Sequence, residues 1–373
     1  MLVCASRIRS GDSDHGVTID HNRLTRPTTP RQSVSLPSRS LQTWPSNTPD
    51  SHIRPPASPA PTGRALPPSL AATMSHVPGS CPAGGRGWSA AVASILEASA
   101  AKPGNVHPGA DFPDLNHAEL VAAGLAIAPA MERAADEPLG RTILAAVTAA
   151  RTVTRSNANL GIVLAIAPRA AIPDHRVDTA AAAAEVLARL TPADAADVWQ
   201  AIRLAQPGGM GQSSQHDLAG SPPTELLAAM RLAAPHDQIA RLWAEGYDSL
   251  LEGLVSDLEA IISRGADLSD AIVPAFLAQL ARTPDSLIAR RHGLPVALEV
   301  SRRAAAARDA PATIPEFDRF LRSPRRLNPG TTADLTAAAL YILIRGDRLL
   351  PWLTPAHCAP SVSPAPRAHW PCP

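Results

Sequence analysis

The chain has 373 residues, a formal net charge of +1 and only 3% aromatic residues, so it carries neither a basic stripe nor a row of stacking rings, and nucleic acid is excluded as its expected ligand. Its longest uncharged apolar run, near Gly161 to Pro168, falls far short of the roughly 20 residues that span a bilayer, so no membrane partner is expected. All four cysteines, Cys4, Cys81, Cys358 and Cys372, lie in or beside the ends, which leaves the interior without a thiolate metal site or a disulfide frame and fits a soluble protein of the reducing cytoplasm.

Residues 1–73 are rich in Pro, Ser, Thr and Arg and poor in periodic apolar positions; they cannot bury enough surface to offset their ordering entropy and are predicted to be disordered. Met74 follows and would serve as a natural start. The extension has no apolar h-region and its prolines spoil an amphipathic helix, so it does not read as a targeting signal. Residues 74–351 suffice for one large core, and 352–373 form a Pro-rich tail. From Trp88 onward Ala and Leu recur at three- and four-residue spacing, with few β-branched alternations. The predicted fold is all-α, a single multi-helix bundle with disordered N- and C-terminal tails.

The first helix is expected over 89–101, with Val92, Ile95 and Leu96 on its buried side. Asn116 and Glu119 have capping-box spacing and open a second helix, expected to reach Ala134 with Pro129 bending it. A third runs over 139–154. The next starts at Leu160, is apolar all round, belongs at the centre of the bundle and is expected to end at Pro168. Helices over 178–190 and 192–205 follow, the latter with Thr191 as N-cap and Pro192 at its first position. An irregular Gly-rich loop then runs from Gln206 to Asp217. Further helices are expected over 224–234, over 236–264 with an interruption near Gly246, over 269–282, from Pro284 to His292, and over 295–308 with Arg302 and Arg303 outward. A linker holds Pro311 and Pro315. The last helix follows Asp334 and is apolar from Leu335 to Ile344.

Lys102 is the only lysine, although Lys and Arg together number 34. Lysine is a compact point charge that can sit on a phosphate or yield a proton, whereas Arg is a planar fork, so a single retained Lys marks a local chemical need. It sits in the first of three junctions where polar or glycine residues meet buried apolar sequence: Lys102 to Asp111, Ser156 to Gly161, and Asn328 to Asp334. Apart from the cap Asn116, the only asparagines of the helical region are Asn105, Asn157, Asn159 and Asn328, all inside these junctions. Their gathering at helix ends points to a shared ligand. A helix N-terminus offers free N–H groups and a positive dipole end, and glycine lets an anion approach the backbone, so phosphate is the expected ligand at Gly330-Thr331-Thr332, at Asn159-Leu160-Gly161 and at Gly208-Gly209. Lys102, with Gly104 and Asn105, would meet the same phosphates. A triphosphate also calls for Mg²⁺, for which Asp111, Asp217, Asp285 and Asp334 are the candidate ligands. Glu97, five residues before Lys102, is the candidate general base, with a plain surface carboxylate as the other reading. Thr331 and Asp334 also have capping-box spacing, Asn157 and Asn159 would serve equally as helix terminators, and Gly208-Gly209 as a flexible loop. No Walker motif, nucleophile elbow or paired His spacing is present.

With these residues in view, the chain resembles the triphosphoribosyl-dephospho-CoA synthase family, also called ATP:dephospho-CoA triphosphoribosyl transferases, over about 88–348. The resemblance is carried by Lys102-Pro103-Gly104-Asn105-Val106 with Asp111, by Asn157 to Pro168, by Pro207 to Gly211 with Asp217, by Pro284-Asp285-Ser286-Leu287-Ile288-Ala289-Arg290, and by Asn328-Pro329-Gly330-Thr331-Thr332-Ala333-Asp334-Leu335. It implies an all-helical pentosyltransferase that uses ATP and Mg²⁺ and moves the triphosphoribosyl group to dephospho-CoA with loss of adenine. The product is the prosthetic-group precursor for acyl carrier subunits of citrate lyase and malonate decarboxylase. Members acting on citrate lyase carry a His-Lys-Gly segment where this chain has Asn157-Ala158-Asn159-Leu160-Gly161. That departure leaves two alternatives beside dephospho-CoA transfer: another phosphorylated acceptor, such as one in assembly of a C1-carrier coenzyme, or a nucleotide-binding helical protein without turnover.

Overall fold

A computed structural model describes residues 84–154, 156, 159–173, 179–205 and 221–346 of the chain. Among these residues the regular structure is helical, with one isolated bridge between Phe112 and Leu115. No helix among them is long and apolar enough to cross a membrane.

Helix α1 (Arg86–Ser99) buries Ala90, Ala93, Ser94, Glu97 and Ala98, whereas the expected Val92, Ile95 and Leu96 are only half-buried. The small face points inward, so the helix can approach its neighbours closely and carry Glu97 with it. Helix α2 (His117–Ala126) has the expected capping box: Asn116 Oδ1 accepts from Glu119 N at 2.9 Å and Glu119 Oε2 from Asn116 N at 3.0 Å. The chain does not bend through Pro129 as one helix. It breaks at Ile127 and restarts as α3 (Ala128–Glu132), where Pro129 sits in the first turn and no donor is lost. Helix α4 (Leu139–Val153) follows.

Helix α5 (Leu160–Ala170) runs two residues past Pro168, contrary to the expected stop. A proline there has no N–H for the carbonyl of Leu164, and that carbonyl instead accepts the indole N–H of Trp243 at 2.9 Å. The next carbonyl, Ala165, accepts Tyr247 Oη at 2.7 Å. Two buried aromatic donors thus patch the helix from outside, which lets it remain buried from Ile162 to Ala170.

Helices α6 (Ala180–Ala188), capped by Thr179, and α7 (Pro192–Ala205) come next, then α8 (Leu226–Ala233) and α9 (Gln238–Glu245). Gly246 breaks α9 as expected, in the left-handed conformation. The chain continues through α10 (Asp248–Leu250), a π-helical segment (Leu251–Val255) and α11 (Ser256–Ser263). Then follow α12 (Leu268–Arg282), α13 (Ser286–His292) and α14 (Leu294–Asp309). The expected linker is itself helical. A 3₁₀ turn (Pro311–Thr313) leads into α15 (Ile314–Arg322), where Pro315 occupies the first turn and Phe317 and Leu321 are buried. Helix α16 (Gly330–Arg345) starts ahead of the expected position, so Thr331 to Asp334 are helical.

Helix α4 packs on α7 and α12 on α14, while α16 packs against both α1 and α5. Two helices apolar on nearly every side, α5 and α16, therefore lie at the centre. A second apolar cluster, built on Phe276, Leu280, Val300, Phe317 and Leu321, supports the first turn of α16 through Ala333. The start of α16 sits where the two clusters meet.

Candidate active site

The first turn of α16 is held by a carboxylate from elsewhere. Pro329 precedes the helix and no side chain caps it, so Thr331 and Asp334 do not form the capping box that their spacing allows. Asp285, fully buried, does the work. Its Oδ1 accepts from Leu287 N at 2.9 Å and Ile288 N at 3.0 Å, capping α13. Its Oδ2 accepts from Thr332 N at 2.8 Å and Thr332 Oγ1 at 2.9 Å. One side chain ties the starts of two helices together. Burial pushes its carboxyl above the ordinary value, opposed by those hydrogen bonds. Its oxygens are fully occupied by protein donors, so Asp285 has no lone pair to give a metal, and Thr332 no free donor for a phosphate.

Around this tie lies a polar lattice that sequence reasoning missed. Ser286 Oγ donates to Thr331 Oγ1 at 3.1 Å, and Ser286 N donates to Gln238 Oε1 at 3.0 Å. Asp237 caps α9 through Oδ1 and takes Arg290 Nη1 on Oδ2 at 2.5 Å. Asp237 lies where a helix was expected to start, but nothing local signals that its second oxygen is paired 53 residues away.

Asp334 is the centre of the arrangement. It is half-buried, while its carboxyl is desolvated by the surrounding protein. Its carboxylate lies against the first turn of α5, where a β-carbon on Gly161 would overlap it. Gly161 was expected to admit a phosphate; the anion it admits is Asp334. A carboxylate in that place meets the positive end of the helix dipole. Its carboxyl is nevertheless raised well above the ordinary range, first by burial and then by the negative charges of Glu97, Asp285 and Asp237, with Arg290 opposing.

Lys102 is fully enclosed and its ammonium is spent on the protein. It donates to the carbonyl oxygens of Glu97 and, at 3.3 Å, Ala100, and pairs with Glu97 Oε1 at 3.0 Å. The helix end thus folds its lysine back onto its own last turn. The expected phosphate contact is replaced by a counter-ion for Glu97, which is itself buried rather than a surface carboxylate.

The first and third junctions meet directly. Asn105 Nδ2 donates to Asn328 Oδ1 at 2.7 Å, while buried Asn105 Oδ1 has no protein partner. Gly104 adopts φ +77°, and its N–H goes to Asp318 Oδ1 at 2.8 Å, so this glycine shapes the turn and its amide is not available to a phosphate. Beside it, Arg322 grips both oxygens of Asp318 at 2.8 and 2.9 Å and donates to Asn105 O at 2.5 Å. Asp111 is exposed and accepts from His117 N at 2.8 Å, at the start of α2 and apart from the carboxylates around Asp334. Asn159, at the start of α5, is buried with Nδ2 unpartnered and does not cap the helix. Gly330 abuts Leu287.

The structure therefore brings together Glu97, Lys102, Gly161, Asp285, Thr331, Thr332 and Asp334 about the first turn of α16, with Asn105 bonded to Asn328 just ahead of that turn and Asn159 at the start of α5, two residues before Gly161. Asn157, Gly208, Gly209 and Asp217 lie outside the described residues. Among the described residues no group of three or more His, Cys, Asp or Glu is placed to hold a metal ion, so the expected set of aspartates does not assemble as a cage.

Comparison with known proteins bears on this arrangement. Residues 86–351 match the sequence profile of the ATP:dephospho-CoA triphosphoribosyl transferase family. A crystal structure from Archaeoglobus fulgidus, of a protein provisionally assigned as a triphosphoribosyl-dephospho-CoA synthase, is 27% identical, with 60% of this chain and 96% of that chain covered and a TM-score of 0.49. No curated protein matches the chain.

Proposed function

Because the chain belongs to the ATP:dephospho-CoA triphosphoribosyl transferase family, we propose that it moves the 5-triphosphoribosyl group of ATP to a hydroxyl of dephospho-CoA and releases adenine. The family supports triphosphoribosyl transfer to dephospho-CoA in general; the release of adenine and the residue roles are our reading. The observation that carries it is the juxtaposition at Asp334, where two carboxylates from distant parts of the chain, Glu97 and Asp334, come within electrostatic reach of each other at a helix start. In that reading the acceptor oxygen bonds to the anomeric carbon of the ATP ribose as the bond from that carbon to adenine breaks. Adenine departs with the electron pair and takes a proton from solvent, and the hydroxyl proton passes to Glu97. Lys102 fixes Glu97 in place and is a positioning residue. The negative charge of Asp334 and Glu97 would stabilise the oxocarbenium-like centre as it develops.

The donor set also fits Mg²⁺. Glu97 is paired with Lys102, Asp237 with Arg290, and Asp285 is filled by protein donors, which leaves Asp334 as the carboxylate of this group with no ion pair of its own among the described residues. Magnesium is usually held by one or two carboxylates, substrate phosphates and waters rather than by an all-protein cage. Asp334, open on one side and carrying a desolvated charge, is the residue that would hold it, with Glu97 beside. The ion would supply charge neutralisation at the triphosphate.

The test is adenine release from ATP and Mg²⁺ by the full chain, with and without dephospho-CoA. Adenine that appears only with dephospho-CoA is the expected result. No adenine in either condition would overturn the reading.

A further inference from the structure

The phosphate contacts expected from the sequence are committed elsewhere: Lys102 to Glu97, Thr332 to Asp285, the amide of Gly104 to Asp318. A set of cations, of which only Arg290 fell within a quoted motif, lies nearby. Arg290, Arg291 and His292 end α13, and Arg325 and Arg326 stand in the loop between α15 and α16. They are close enough to repel. Arg291 is pulled below its ordinary value by burial and then by Arg326 and Arg290, and His292 by burial and then by Arg291 and Arg325.

Only two carboxylates answer these charges: Asp237 pairs with Arg290 and Asp114 with Arg326. Arg291 and Arg325 are exposed and have no ion pair among the described residues. The patch is also built rather than loose. Arg326 holds a left-handed backbone, φ +51°, which a non-glycine residue adopts at a cost of about 1 kcal/mol or more. Its guanidinium lies 4.1 Å from the centre of the Phe112 ring, which Arg322 approaches at 5.5 Å. The inner end reaches Asp334, because Arg290 acts on its charge and keeps a buried Nε with no partner. The outer end adjoins the Asn105–Asn328 bond, two residues from Arg326.

We propose that Arg290, Arg291, Arg325 and Arg326 form a track that binds the phosphate chain of a nucleotide substrate. Planar guanidinium forks suit successive phosphates, and a bound polyanion relieves the repulsion that the free protein carries. The assignment rests on the transferase reading and names the phosphate-binding residues of that site. Two chains of this chemistry are available there, the triphosphate of ATP and the diphosphate of the acceptor.

The double variant Arg291→Gln/Arg325→Gln removes two exposed charges without breaking an ion pair, so its melting temperature should match that of the wild type. With adenine release as the assay, KM for one substrate should rise about tenfold while kcat stays within about twofold, and Arg291→Lys/Arg325→Lys should recover part of the loss. A rise confined to ATP assigns the donor triphosphate; a rise confined to dephospho-CoA assigns the acceptor diphosphate. Unchanged KM for both, or a fall in kcat alone, overturns the track. Should the wild type release no adenine, the transferase reading fails separately, and the track is then judged by calorimetry with ATP and inorganic triphosphate. Binding about tenfold weaker in the double variant supports it, and equal binding overturns it.

Discussion

Lys102 and Gly161 show how far a single residue type can be read. The sequence marks both as exceptional, and both sit at the candidate site, yet each has a partner other than the one its chemistry suggested. Lys102 neutralises Glu97, so removing it leaves a buried carboxylate without a counter-ion. Lys102→Met should cost about 3–5 kcal/mol in urea unfolding, and Lys102→Met/Glu97→Leu should recover much of that loss, because breaking a buried pair costs more than replacing it with apolar groups. A cost below about 1 kcal/mol would mean that the pair is not enclosed as described. Gly161 is small because Asp334 lies on it. Gly161→Ala should displace that carboxylate, lower stability by about 1–3 kcal/mol and abolish adenine release. Full activity in the alanine variant would remove Asp334 from the site. Composition revealed that these residues were exceptional but not what they would meet: Lys102 folds back on Glu97, five positions earlier, and Gly161 meets Asp334, 173 positions later, a separation no local pattern encodes.

At the scale of elements, the helices were legible where caps and apolar periodicity agree, as at Asn116 and at Pro192. Proline was the source of most misreadings, because its effect depends on position and on outside partners. Pro129 and Pro315 sit in first turns, where no donor is lost, so the former starts a helix and the latter belongs to one rather than to a linker. Pro168 stays inside α5 because Trp243 supplies the donor that the proline lacks. Trp243→Phe should therefore cost about 1–3 kcal/mol, the penalty of leaving the buried Leu164 carbonyl unpaired, beyond any change in packing. In a Pro168→Ala background the backbone N–H returns and much of that cost should vanish, which a double-mutant cycle by urea unfolding would measure. Equal costs in both backgrounds would break the link between the proline and the indole.

At the scale of the whole molecule, the convergence of three helix junctions was legible from the shared scarcity of asparagine, but the charge balance was not. Burial first, and then the negative charges of Glu97, Asp285 and Asp237, hold Asp334 above its ordinary value against the opposing Arg290, so its charged form works against folding. The sign follows from linkage: stability from the proton on Asp334 is fully present below the unfolded carboxylate value and is lost as pH rises through the elevated folded value. Without divalent cations, Asp334→Asn should melt at a higher temperature than the wild type at pH 7.5, and the gap should close as the pH is lowered. A variant that melts lower at pH 7.5 would show that the charge is well accommodated. The enclosure of Lys102 also gives the molecule a built-in reporter. An amine-reactive reagent has one side-chain target in the entire chain, and in the folded state that target is shielded, so labelling should stop at the amino terminus. A second label on a chain then marks an opening of the segment that encloses Lys102 just past α1, and its rate reads the local opening equilibrium of the site without any engineered probe.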